Sequence, residues 1–194
     1  ALDLDVVRAL RRSPAFRGPA AAHDGEHCLE VQLPLLQARM PQATLVPILV
    51  GVDTDAEEAA AIARSVASHL DAGTVVVVSS DFTHHGAAYG YQPFAVDGAL
   101  PGRLLTLGRL TADRLAALDG AGFRQQVEVS GDTVCGVRPL VVLAEVLEHA
   151  FEGSGEVLHV TTSGEVSGGW AQSVTYAAVG FRGHWTPWRE TPSA

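Results

Sequence analysis

The sequence predicts an α/β fold in which a mixed, largely parallel sheet is flanked by helices, and three observations carry that expectation. Two uninterrupted apolar runs, Leu45–Val50 and Val75–Val78, have the composition of strands covered on both faces. An Ala-rich helical stretch over residues 56–70 lies between them, with a cap candidate in the turn Gly51–Asp55, so strand, helix and strand succeed one another as in a βαβ unit. Two further strand patterns, Glu156–Thr162 and Ser173–Phe181, follow the last helix and are separated by a Gly-rich turn at 164–169.

The remaining elements follow from spacing. Leu2, Val6, Val7 and Leu10 recur at helical intervals and predict a helix over 3–12. Residues 13–25, rich in Pro, Gly and Ala, read as a loop. Leu29, Leu33, Leu36 and Met40 mark a second helix, which Pro34 must kink or delay. Residues 87–96 read as an aromatic loop, and 97–108 and 111–118 as two short helices, the second capped by Thr111. Pro139 suits the first turn of a helix running to Ala150. The chain is read as one domain over 1–182 with a tail at 183–194.

Composition narrows the function classes. With 22 acidic against 13 basic residues the formal charge is −9, and no Lys/Arg cluster reverses it locally, so nucleic acid and anionic lipid are poor partners. No apolar run approaches the roughly 18 residues of a membrane span, and no signal-peptide pattern opens the chain. Two cysteines, Cys28 and Cys135, do not make a disulfide framework, which points to a reducing, cytoplasmic setting. The first residue is Ala1 rather than Met.

Three clusters carry chemistry. Ser79-Ser80-Asp81-Phe82-Thr83-His84-His85-Gly86 follows directly on the Val75–Val78 run, and sites in open α/β sheets form beyond the carboxyl ends of strands. Asp81 and His84 there can ligate a metal or move protons, or serve as loop caps. His85 is the weaker candidate, because adjacent side chains on extended backbone point apart. Cys135, in Gly131-Asp132-Thr133-Val134-Cys135-Gly136, lies just before a predicted helix, where partial positive charge favours a thiolate able to ligate or attack; a small buried packing residue is the plainer reading. His27 and Glu30, three apart, share one face of a helix and can form a metal pair, a relay or an ordinary cap. Cys28, off that face, reads as packing.

In order, the segments Glu26-His27-Cys28-Leu29-Glu30-Val31-Gln32-Leu33-Pro34, Val78-Ser79-Ser80-Asp81-Phe82-Thr83-His84-His85-Gly86, Thr133-Val134-Cys135-Gly136, Thr162-Ser163-Gly164-Glu165 and Tyr176-Ala177-Ala178 resemble the Memo family, whose bacterial members are called AmmeMemoRadiSam system protein B. The resemblance covers about residues 20–182. It implies the fold of the class III extradiol dioxygenases (LigB-like), which use non-haem iron. It places Cys135 on a cysteine ligand, Asp81 and His84 beside it, and His27 with Glu30 on a helix lining the pocket. Family members usually begin with a further segment carrying a His-Ala-Gly motif and a later Ser-His motif that supply histidine ligands. Neither motif is in this sequence, so the resemblance implies an N-terminally incomplete fold, the C-terminal two-thirds of the family's, whose sheet edge would need covering. Cys28 stands where the family usually has Ser.

The expectation is therefore a metal-dependent redox or dioxygenase-related protein. Iron or copper would be held by Cys135 and His84, since thiolate and imidazole suit those ions better than magnesium or calcium. Asp81 would orient a histidine and His84 would handle protons. The alternatives are a non-catalytic module binding peptide or protein in the same cleft, and a thiol hydrolase built from Cys135 and His84. The family name further implies radical-SAM and companion proteins as partners.

Overall fold

Helices account for most of the regular structure, and each begins where local chemistry allows it. A computed structural model describes residues 1–190. Helix α1 (Leu4–Leu10) is capped by Asp3, whose carboxylate accepts from Val6 N–H at 3.1 Å. Pro34 delays the second helix rather than kinking it: α2 (Leu33–Arg39) carries the proline in its first turn, where no N–H is needed. Helix α3 (Ala56–Ala67) opens with a capping box between Asp55 and Glu58.

The predicted pair of short helices over 97–118 is one helix, α4 (Leu100–Ala116). Gly108 is no breaker there. A Cβ on it would lie 2.5 Å from Thr175 Cγ2, so its bare face lets the sheet approach. Thr111 is not a cap but a fully buried interior residue, donating to Leu107 C=O at 3.2 Å and to Asp132 at 3.3 Å. Helix α5 (Gly120–Ser130), not among the predicted elements, is capped by Asp119 and buries only Gly120 and Phe123. Helix α6 (Val137–Ala150), with Pro139 in its first turn, buries Leu140, Val142, Leu143, Val146 and Leu147, among others, and packs on α3 and α5.

The sheet corrects the expectation most. It has three strands in the order β1 (His84–His85), β3 (Ser173–Trp185), β2 (Phe151–Thr162), and both pairings are antiparallel. Register runs from Phe151 opposite Trp185 to Thr162 opposite Thr175, with an irregularity between Val157 and His159. The predicted Gly-rich turn is a short helix, α7 (Ser163–Ser167), followed by the left-handed Gly168. A largely parallel sheet does not form among the described residues because the two runs that would build it, 45–50 and 75–78, find no partner strands. One parallel bridge, Leu2 to Leu45, is their sole pairing there. Val76 and Val78 still lean on the core while Val75 and Val77 face outward, which is the alternation of an extended strand.

Gly183 does not begin a loose end. Strand β3 continues to Trp185, whose indole N–H donates to Thr74 C=O at 3.0 Å, and Arg189 donates to Phe151 C=O at 2.9 Å. Residues 191–194 of the predicted tail lie outside the described part. No helix among the described residues is long and apolar enough to cross a membrane.

Candidate metal centre

The unpaired stretch 75–80 leads into β1, and the loop before α6 is stapled across it. Ser80 is the staple: its hydroxyl accepts from Gly136 N–H at 3.0 Å and donates to Asp81 C=O at 2.7 Å. Gly136 sits so close that a Cβ there would lie 2.5 Å from both Cβ and Oγ of Ser80. A second clamp lies four residues further on, at the start of β1. Thr133 Oγ1 accepts from His84 N–H at 2.8 Å and donates to His84 C=O at 3.0 Å.

Between these clamps the side chains of Asp81, His84 and Cys135 converge. One ligand atom from each, a carboxylate oxygen, an imidazole nitrogen and the thiol sulfur, lie within 4.8 Å of one another. Asp81 Oδ2 is 3.6 Å from His84 Nε2. Asp81 N–H points at Cys135 Sγ from 3.2 Å. His84 Nε2 is shielded from solvent and has no hydrogen-bond partner among the described residues, an arrangement a buried nitrogen does not keep without cause. Cys135 is exposed, so the group opens to solvent on the sulfur side.

The wall around the group is aromatic and polar. Tyr89 meets the His84 ring edge-on, with centroids 5.0 Å apart. Burial, and after it the Asp81 charge, pushes the Tyr176 phenol up. Asp132 is buried and its carboxyl is raised by desolvation, an effect offset in part by hydrogen bonding from Thr83 and Thr111. Gln32 Nε2 donates to Ser79 Oγ at 3.1 Å and ties the start of α2 to the same strand end.

The other sequence candidates stand elsewhere. His27 is not on a regular helix; it is exposed in the turn before α2, with its ring 3.6 Å from Glu26. Glu30 is exposed in the same turn. Neither belongs to the converging group. His85 is fully buried on the opposite face of β1 from His84, and desolvation lowers its pKa. Tyr89 lies outside every motif, and Thr133 and Gln32, though inside quoted motifs, carried no expected role: what they do depends on loops closing over the strand end. Ser79 and Ser80 lay inside a motif, but nothing local showed what they would touch.

The model of the family described as Memo-like protein matches residues 1–180. The chain belongs to the Memo family. A MEMO1 family protein of Methanopyrus kandleri is 34% identical over 185 residues, 93% of this chain and 61% of that protein. One of Thermococcus onnurineus is 34% identical over 170 residues, covering 83% and 58%. The memo-1 homolog of Caenorhabditis elegans is 26% identical over 165 residues, covering 80% and 47%. This Memo-family chain thus spans about three fifths of the length of the archaeal relatives it matches.

The donor set fits a transition metal. A thiol, an imidazole and a carboxylate together suit iron, copper or zinc, whereas oxygen donors alone would suit magnesium or calcium. Ligand bonds of about 2.0–2.3 Å require donor atoms a few ångströms apart, which the 4.8 Å limit satisfies.

Proposed function

We propose that this chain is a metal-dependent redox or dioxygenase-related member of the Memo family, with iron or copper held by Asp81, His84 and Cys135. The observation that carries the reading is the convergence of three donor types, Asp81 and His84 from one strand end and Cys135 from a loop more than fifty residues further along, with an orphaned imidazole nitrogen among them.

The reading also extends one role. The Asp81 carboxylate, expected to orient a histidine, lies 3.6 Å from His84 Nε2 and is one of the three converging donors, which supports Asp81 as a third ligand. Three protein ligands leave coordination positions for a small molecule on the open, sulfur side. A bound iron or copper ion would supply one-electron and oxygen chemistry there. The protein's own contribution is to fix the donors: Thr133 locks the His84 backbone, Ser80 locks the two loops, and Asp81 N–H directs a hydrogen bond to the sulfur.

Metal analysis of the purified 194-residue chain after anaerobic loading with iron(II) or copper(I) tests this. One equivalent is expected to be retained on desalting, with Cys135→Ala and His84→Ala each lowering retention at least about tenfold. Equal retention in the parent and both variants would overturn the assignment.

A further inference from the structure

Helix α6 ends abruptly: its C-cap residue, Phe151, is already extended and starts β2. The last carbonyls of a helix have no partner within it and must find donors elsewhere. Residues 186–190 supply them. Thr186 N–H donates to Ala150 C=O at 2.9 Å, and Arg189 N–H to His149 C=O at 2.8 Å. The Arg189 guanidinium donates to Phe151 C=O at 2.9 Å and to Glu148 C=O at 3.3 Å. One short segment thus takes all four carbonyls from 148 to 151. The segment is not a strand. Pro187 has no N–H for the ladder, so β3 stops at Trp185 and 186–190 carry no regular structure. They also lie beyond residues 1–180, the part that matches the family model.

Each of the last three residues meets its own receptor. Trp188 stacks on the His149 ring with centroids 4.6 Å apart, and the Arg64 guanidinium of α3 lies over the indole, 5.2 Å from its centroid. Arg189 C=O accepts from His149 Nδ1 at 2.8 Å, and its guanidinium also reaches the Glu152 carboxylate at 3.0 Å. Glu190 accepts from both terminal nitrogens of the same Arg64, one of them at 2.9 Å. Buried aromatic and arginine anchors of this kind are what a recognised peptide presents. The hold is nonetheless loose. Both ion pairs are half-exposed, where such pairs contribute little, and the segment's backbone donates only two hydrogen bonds among the described residues.

We propose that the groove between α3 and the end of α6 is a recognition site for a short peptide segment of aromatic, basic and acidic residues in that order, and that this chain's own Trp188-Arg189-Glu190 is its resident, displaceable occupant. Weak contacts suffice to hold the segment in place, because a tether of a few residues keeps it at an effective concentration on the order of millimolar. A partner segment of the same chemistry displaces it by offering the same three anchors. The groove lies at the opposite end of β3 from the pairing with His84, so the proposal stands or falls independently of the metal reading.

Fluorescence anisotropy of a labelled pentapeptide, Thr-Pro-Trp-Arg-Glu, tests this on the 194-residue chain. The parent is titrated beside a variant carrying Trp188→Ala, Arg189→Ala and Glu190→Ala together, its fold checked by circular dichroism. The variant should bind the peptide saturably and at least about tenfold more tightly than the parent, whose own segment competes from its tether. Adding Arg64→Ala to the variant, or replacing the Trp of the peptide with Ala, should abolish saturable binding. Equal binding by parent and variant, no binding by the folded variant, or an affinity that survives the loss of Arg64 would each overturn the proposal. If the variant does not fold, hydrogen exchange on the parent decides. Excess peptide should then speed exchange of the Thr186 and Arg189 amides at least about threefold, and an unchanged rate would overturn the proposal.

Discussion

Gly136 is where the candidate centre is most sensitive to a single atom. A Cβ there collides with Ser80 at 2.5 Å, and its backbone N–H is the donor that holds the Ser80 hydroxyl. Gly136→Ala is expected to cost about 1–3 kcal/mol in urea unfolding and to lower metal retention by separating Asp81 from Cys135. Ser80→Gly in the same chain should recover only part of the stability, since it vacates the space but removes the two hydrogen bonds of the staple. No loss in the single variant would mean that the two loops are not stapled as described. Asp132 gives a pH prediction. Burial raises its folded carboxyl above the ordinary 3.8, so the folded chain holds that proton more tightly than the unfolded one. The stabilisation is complete below that ordinary value and is lost as pH rises through the folded value. Asp132→Asn keeps an oxygen for Thr111 and carries no charge, so its stability relative to the parent should increase as pH rises above about 4. A difference independent of pH would show that the carboxyl titrates alike in both states.

At the scale of elements, the chain's ends of helices are its most legible feature and its strands the least. Asp55 caps α3 as its position before an Ala-rich run implies, and Asp55→Ala is expected to cost about 1 kcal/mol, with Asp55→Ser retaining most of it. Thr111 misled for a physical reason: a threonine donating back to the carbonyl four residues earlier sits comfortably inside a helix, and Gly108 before it serves packing on Thr175 rather than a turn. The strand β3 outruns its predicted end because its pattern turns polar after Phe181 while its pairing with β2 continues to Trp185. Trp185 leans on Phe151 with ring centroids 5.3 Å apart, and His149 stacks on Trp188 at 4.6 Å. Trp185→Ala should therefore lower unfolding free energy by about 2–3 kcal/mol, measured by urea denaturation. A neutral result would mean that 183–190 is the loose tail the sequence suggested.

For the whole molecule, the α/β class and the helices α1, α2, α3 and α6 were readable, but α5, α7 and the antiparallel direction of the sheet were not. Residues 45–50 and 75–78 have the composition of parallel strands, yet composition does not report whether a neighbour is present. The centre itself was half legible. Asp81 and His84 stand three apart at a strand end, and Cys135 precedes a helix, so their residue types and places were visible. The clamps by Thr133 and Ser80, the Tyr89 wall and the outward turn of His27 arise only when distant loops meet.

The central claim is that sulfur, imidazole and carboxylate bind one ion together, and X-ray absorption at the edge of the loaded iron or copper reads that directly. One sulfur scatterer at about 2.3 Å beside nitrogen or oxygen scatterers at about 2.0 Å is predicted, with the sulfur shell missing in Cys135→Ser. A spectrum with no sulfur in the parent protein, or an identical sulfur shell in the variant, would contradict the account.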